Sequence, residues 1–399
     1  MANDKPSLDY LLDPIPVETF LNDHWERRPL WVSGRDPGYF QHLFSVGALE
    51  DILRFSRVKP PEIKVVREQQ ELLPERYLKP TGEIHLNQIY KVFTEGYTVI
   101  INGLQQFNAS LASFCCNLQE FLCHRIVANL YFSPQGSKAL FPHYDTHDVF
   151  VLQVEGSKQW YLYPPPQPVP LLNSFQPVIP SERLGSPLKE VYLQAGDLLY
   201  IPRGFVHEAE TNAHPSLHLT LGVYPFQWLD LLTSALTALS LQEESLRRAL
   251  PPGFFRLPAD QLEEPFRELC QRLALQTDVE SGLSLLLDQF IRQAIVEPDH
   301  HFALIPHLET VTLDTVVAKR AGMPCRIVPQ GFAVSIQFPG NTIKGQAHLE
   351  PAFQYIAAAV SPFQVSDLPE PLSEEAKITL VQRLIRGGLL RVHGLGSSV

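Results

Sequence analysis

Residues Phe141 to Tyr163 read FPHYDTHDVFVLQVEGSKQWYLY. Apolar, β-branched and aromatic residues crowd the stretch, and Pro142, Asp145, Asp148 and Gly156 punctuate it, as expected of short strands. Side chains at i and i+2 of a strand leave the same face. His143 and Asp145 are therefore expected to point together, with Tyr144 turned away. Lys158 is expected to open a new strand, KQWYLY, after a turn at Glu155-Gly156. On that strand Lys158, Trp160 and Leu162 share one face, and Gln159, Tyr161 and Tyr163 share the other.

An imidazole and a carboxylate on one strand cannot close a metal site, so a third donor must come from elsewhere. The stretch QAGDLLYIPRGFVHEAE, from Gln194 to Glu210, offers His207. It reads as a strand, a Gly-Asp turn and a second short strand, with Gly196, Asp197, Pro202 and His207 in the order G-D-x-x-x-x-P-x-x-x-x-H. Two imidazoles and one carboxylate occupy one face of a metal ion and leave the other open, as in non-haem Fe(II) oxygenases. A lone His-x-Asp arises by chance in many long chains. The later pattern makes His143, Asp145 and His207 a candidate iron site.

Lys158 has two readings at this level. A buried lysine beside an aromatic residue is costly unless an anion neutralises it, and a bound dicarboxylate would do so. Spacing alone favours the other reading, a solvated lysine at a turn. His147 and Asp148 read as strand-end residues at the THD turn, and His218 as a satisfied core histidine.

The block resembles the JmjC-type 2-oxoglutarate oxygenases, specifically the ribosomal oxygenase branch. PHYDTHDVFVLQVEGSKQW carries the resemblance, supported by PVETFLNDHWERRPLWV near the start. The resemblance implies that His143, Asp145 and His207 bind Fe(II). It implies that Lys158 holds the distal carboxylate of 2-oxoglutarate, with O2 as the other co-substrate. Asn129 and Tyr131 in ANLYFSP would line the same pocket. Some members carry a serine after the second histidine that helps hold the co-substrate; LHLTLGVYP offers Gly222 there, and Thr220 is the nearest hydroxyl. No residue beyond the metal ligands is expected to be catalytic. The implied activity is hydroxylation of a histidine or arginine side chain of a ribosomal protein. Lysine at 158, where another branch uses arginine, leans towards histidine. Rival readings are an oxygenase acting on tRNA or on another protein, a lysine demethylase, and a non-catalytic metal-binding cupin.

The chain has 399 residues, 45% hydrophobic and 19% charged, with a formal net charge of −11. That balance argues against nucleic acid, whose phosphates require Lys and Arg, and suits a basic protein partner. No run approaches the ~18 apolar residues of a membrane span, and the polar start lacks a signal-peptide core. A cytoplasmic protein is expected. The five cysteines fit neither a zinc site nor a disulfide framework; Cys115, Cys116 and Cys123 read as small core hydrophobes.

Residues 1–225 are expected to form a cupin-type catalytic domain with an N-terminal extension. Its fold class is mainly β: many short strands with regular turns, which the metal motifs resolve as a double-stranded β-helix of jelly-roll kind. Asn108 is expected to cap a helix over NASLASFCCNLQEFL. Residues 57–90, with Pro60, Pro61, Pro74 and Pro80, read as loops with short strands. PPPQPVP (Pro164 to Pro170) begins a long insertion. Residues 226–298 carry leucine-striped helices, too apolar to stand alone, so they are expected to cover another domain or a second subunit; the resemblance implies that they form a homodimer. Residues 299–399 read as a small α+β, winged-helix-like module.

Overall fold

A computed structural model describes residues 7–172, 174, 178–296 and 301–394. The chain divides into two compact units, Met1–Pro225 with Ile295–Pro298, and Phe226–Ala294 with Asp299–Val399. The expected boundary at 298/299 lies outside the described residues.

In the first unit, helices α1 (Leu8–Leu12) and α2 (Val17–Asp23) lead into strand β1 (Leu30–Val32), and helix α3 (Val46–Phe55) into strands β2 (Ile63–Arg67) and β3 (Gln70–Glu71). Helix α4 (Leu86–Thr94), strand β4 (Thr98–Asn102) and helix α5 (Ala109–Leu122) follow. The remaining strands are β5 (Arg125–Ser133), β6 (Asp148–Tyr163), β7 (Lys189–Gln194), β8 (Leu198–Ile201), β9 (Val206–Glu210) and β10 (Ser216–Tyr224). A large antiparallel sheet runs β1-β8-β6-β10-β5-β4-β2-β3. The far half of β6 leaves it and pairs with β7 on one side and β9 on the other. This is the expected jelly-roll core.

Strand β6 decides the layout. The expected turn at Glu155-Gly156 is absent, and DVFVLQVEGSKQWYLY is one strand of 16 residues. It carries a bulge: Leu217 pairs with Glu155, but His218 pairs with Gln153, so Val154 is the extra residue. Gly156, at φ +70°, follows the bulge, and a Cβ there would lie 2.0 Å from the Pro215 carbonyl oxygen. One extra residue reverses which parity faces inwards. Before the bulge, Val149 and Val151 face the minor sheet, and Phe150, Leu152 and Val154 enter the main core. After it, Trp160 and Leu162 join Val149 and Val151.

The same alternation builds the neighbours. In β10, Leu217, Leu219, Leu221 and Val223 enter the main core; in β5, Ile126, Ala128 and Leu130 do. Each such leucine, isoleucine or valine, fully buried, contributes about 1.5–3 kcal/mol relative to exposure. His218 and Thr220, and Asn129 and Tyr131, are left for the opposite face.

Three local expectations need correction. LFPHYDT is no regular strand: His143 sits in isolated bridges with His207 and Val178, and Asp145 lies outside any strand. The stretch 57–90 contains the start of α4, whose Leu86, Ile89, Tyr90 and Phe93 repeat at helical spacing; the preceding prolines obscured that period. Cys123 is exposed rather than core, because it ends α5 in the left-handed conformation at φ +53°. Cys115 and Cys116 are buried. The Asn108 side chain accepts from Leu111 N–H at 2.9 Å, the expected cap.

The second unit contains helices α6 (Trp228–Gln242), α7 (Asp260–Gln276) and α8 (Val279–Gln293). It continues with strands β11 (Val316–Lys319), β12 (Arg326–Gln330), β13 (Ala333–Phe338) and β14 (Asn341–Gln346), helix α9 (Glu350–Ala358), strand β15 (Phe363–Gln364), helix α10 (Glu374–Arg386) and strand β16 (Leu390–Val392). Its strands form two three-stranded sheets, β15-β11-β16 and β12-β13-β14. Among the described residues no helix is long and apolar enough to cross a membrane.

Candidate metal centre

His143 and His207 meet as a backbone pair. His207 N–H donates to His143 C=O at 2.8 Å, and His143 N–H donates to His207 C=O at 3.2 Å. Directly opposed residues in such a bridge project to the same side, and the ring centroids lie 4.6 Å apart. Asp145, two residues on, brings its Oδ2 within 3.5 Å of His207 Nε2. One donor atom from each of the three lies within 4.8 Å of the others.

Both imidazoles have a defined tautomer. His143 Nδ1 lies 2.8 Å from the Phe141 carbonyl, and His207 Nδ1 lies 3.1 Å from the Phe205 carbonyl. A carbonyl only accepts, so Nδ1 carries the hydrogen and Nε2 keeps its lone pair. Burial, aided by His143, pushes His207 down to about 4. The contact to Asp145 is thus two ligand-type lone-pair atoms facing one point, not an ion pair.

These groups open into a cavity of about 110 Å³. The main sheet supplies Asn129, Tyr131, Val149, Val151, His218 and Thr220 to its wall. The minor sheet supplies Lys158, Trp160, His207 and Ala209. All seven residues expected to form the site therefore line one cavity. Asn129 is tied down by its Oδ1, which accepts from Gly103 N–H at 3.1 Å.

Lys158 is not the solvated lysine of a turn. It is buried, and its Nζ donates to Ser133 Oγ at 3.1 Å. Among the described residues it has no carboxylate partner. Burial alone lowers it to about 7. Ser133 Oγ also accepts from Thr98 Oγ1 at 3.0 Å.

His218 is not a satisfied core histidine either. Its ring stacks on Tyr131 at 5.0 Å and meets Trp160 edge-on at 5.5 Å. Its Nδ1 and the Trp160 Nε1 are buried with no partner among the described residues. Burial and nearby Lys158 hold His218 far below the usual imidazole range, so it is neutral. Two residues apart on β10, His218 and Thr220 share a face. His147 precedes β6 as expected, but its ring lines the cavity and stacks on Tyr224 at 4.4 Å. Gly222 makes room for it: a Cβ there would lie 2.8 Å from His147 Cδ2. Trp160 as a polar group of the pocket and Ser133 behind Lys158 were not singled out, because a hydroxyl or indole in a strand carries no signature of its own.

Comparison with known proteins agrees with this architecture. Residues 103–231 match the family model of the JmjC domain. The chain is 29% identical to the bifunctional lysine-specific demethylase and histidyl-hydroxylase NO66 of Aedes aegypti, over 96% of this chain and 67% of that protein. It is 36% identical to ribosomal oxygenase 1 of Gallus gallus, over 61% of this chain and 41% of that protein. The chain thus spans from about two fifths to two thirds of these curated relatives. Among solved structures, the Escherichia coli ribosomal oxygenase YcfD in complex with cobalt and 2-oxoglutarate superposes with a TM-score of 0.55 at 18% identity, covering 96% of this chain and 99% of that one. At that identity the likeness speaks for the fold. With its jelly-roll core, the chain carries a match to the JmjC domain over residues 103–231 and is similar in sequence to the ribosomal oxygenases.

Proposed function

We propose that the chain is an Fe(II)- and 2-oxoglutarate-dependent dioxygenase that hydroxylates a side chain of a ribosomal protein. One observation carries the reading. Two imidazoles and a carboxylate converge at one place in a cavity that also holds a buried lysine with no carboxylate partner among the described residues. Two nitrogens and one oxygen on one side suit Fe(II) with open positions. The buried Lys158 and the unpartnered Trp160 Nε1 suit an acidic, oxygen-rich molecule.

His143, Asp145 and His207 would hold Fe(II), and Lys158 the distal carboxylate of 2-oxoglutarate. Asn129, Tyr131 and Thr220 would line its pocket. When bound, iron, 2-oxoglutarate and O2 together supply the oxidising power that places a hydroxyl on a substrate carbon, with succinate and CO2 released. The chain's own part is placement. The Phe141 and Phe205 carbonyls orient the two imidazoles, and Val149, Val151, Trp160 and Ile201 keep the cavity wall apolar. No side chain need act as nucleophile or general base.

The names of the relatives support a ribosomal protein as substrate, and "histidyl-hydroxylase" supports histidine over arginine. The net charge of −11 suits a basic partner and disfavours tRNA. We read the protein as cytoplasmic, residues 226–298 as a dimerisation segment, and 299–399 as a winged-helix-like protein-contact module.

The deciding experiment is an anaerobic titration of the purified protein with Fe(II) and 2-oxoglutarate. A weak visible charge-transfer band saturating at one equivalent of each is expected. Absence of the band, with no succinate formed in air, would overturn the proposal and leave a non-catalytic cupin.

A further inference from the structure

The two segments that bring Asp145 and His207 together are joined by a buried ion pair that the chemistry above does not use. Asp148 opens β6, three residues past Asp145. Arg203 follows β8, four residues before His207. Asp148 is fully buried and Arg203 is 6% exposed. Arg203 Nη1 donates to Asp148 Oδ2 at 3.0 Å. Asp148 Oδ1 accepts from Arg203 N–H at 3.2 Å and from Tyr200 O–H at 2.8 Å. One carboxylate thus receives three donors from the segment Tyr200 to Arg203. The next residue, Gly204, donates its N–H to the Asp145 carbonyl at 2.9 Å.

We propose that Asp148 and Arg203 are positioning residues of the metal centre. Their pair holds the Asp145 segment against the His207 strand at the separation the three donors need. The inference rests on reading His143, Asp145 and His207 as a metal site. Its geometric basis is the segment itself: Asp145 lies outside any strand, so no regular ladder fixes it, and the donors on Asp148 together with the Gly204 bond do. Both residues are charged and desolvated, so removing one charge leaves the other buried and uncompensated, and the two segments lose their common anchor.

The network has an outer arm that allows a control. Glu26 also pairs with Arg203 Nη1, and its N–H donates to Tyr200 Oη at 3.0 Å. Glu26 belongs to the leading segment, ahead of β1, and meets the network at Arg203 and Tyr200. A change there loosens the same arginine from the far side.

The test measures Co(II) affinity of the full chain by chelator competition, alongside thermal stability and amide hydrogen exchange. Asp148→Asn is expected to weaken Co(II) binding about ten- to a hundredfold, the usual effect of losing support behind metal ligands, and to alter the visible Co(II) spectrum. Arg203→Lys, which keeps the charge but loses the planar fork, should show a smaller loss and serves if Asp148→Asn does not fold. Glu26→Gln should lower the melting temperature while leaving Co(II) affinity within about twofold of the parent. Folded Asp148→Asn or Arg203→Lys with parental affinity and spectrum would overturn the inference. If the parent binds no Co(II), the metal reading fails, and exchange decides the positioning role separately. Faster exchange over 143–147 and 205–207 in Asp148→Asn than in Glu26→Gln supports it; equal exchange overturns it.

Discussion

Lys158 Nζ and Ser133 Oγ stand 3.1 Å apart and both are buried; among the described residues the partner of this amine is a hydroxyl rather than a carboxylate. A neutral partner offsets only part of the cost of burying charge. The pair therefore leaves Lys158 ready for an anion. Lys158→Ala is expected to raise the 2-oxoglutarate requirement, because a charge-assisted contact is worth about 1.5–3 kcal/mol, or about ten- to a hundredfold in affinity. Fe(II) binding should change little. Lys158→Arg should keep more function than Lys158→Ala. Uncoupled succinate production against 2-oxoglutarate concentration reads all three proteins; an unshifted Lys158→Ala curve places the anchor elsewhere.

The same burial makes co-substrate binding depend on pH. Lys158 is lowered to about 7 in the free cavity, and a bound carboxylate raises it again. Below pH 7 the lysine is already charged, so affinity is flat. Above pH 7 binding must take up a proton, so affinity falls by up to about tenfold per pH unit until the raised value is passed. Anaerobic titrations from pH 6 to 9 should show this bend, and Lys158→Arg should lack it. A parent curve flat across that range is incompatible with the argument.

His143→Ala removes one of three convergent donors. It is expected to lose stoichiometric metal and all 2-oxoglutarate turnover. Metal analysis after dialysis, with a succinate assay, checks both. A mutant that retains iron and turnover removes His143 from the site.

Gly222→Ser places a side chain where the His147 ring lies, 2.8 Å from a Cβ. The ring must leave its stack on Tyr224. Overpacking of this kind costs about 1–3 kcal/mol. The double variant Gly222→Ser/His147→Ala should recover part of that loss. Chemical denaturation of the four proteins measures the coupling, and strictly additive effects would show that the two residues do not compete for space.

Helices α6, α7 and α8 leave Trp228, Leu232, Phe266, Leu275 and Leu283 exposed. A soluble chain rarely presents so many large apolar groups on neighbouring helices unless something covers them. A homodimer is expected. Sedimentation at micromolar concentration should give twice 45.1 kDa, and a monomer alone would end the idea.

What the sequence determined by itself was local in origin. The i, i+2 spacing of His143 and Asp145, the later Gly196-Asp197 and His207, the Asn108 cap and the leucine stripes each follow from the geometry of one short segment. The seven residues singled out there do line one cavity. Two of its readings failed because burial is not local. Lys158 looked solvated because spacing cannot show that a bulge at Val154 turns the even-numbered residues inwards. That bulge exists only through the pairing of β6 with β10, whose residues lie some sixty positions further on. His218 looked satisfied because its unpartnered Nδ1 depends on what surrounds it, namely Tyr131, Trp160 and Lys158 from two other strands. Asp148 and Arg203 looked unremarkable for the same reason. Periodicity is written in the order of residues; register, burial and the joining of distant charges arise only when the strands pair.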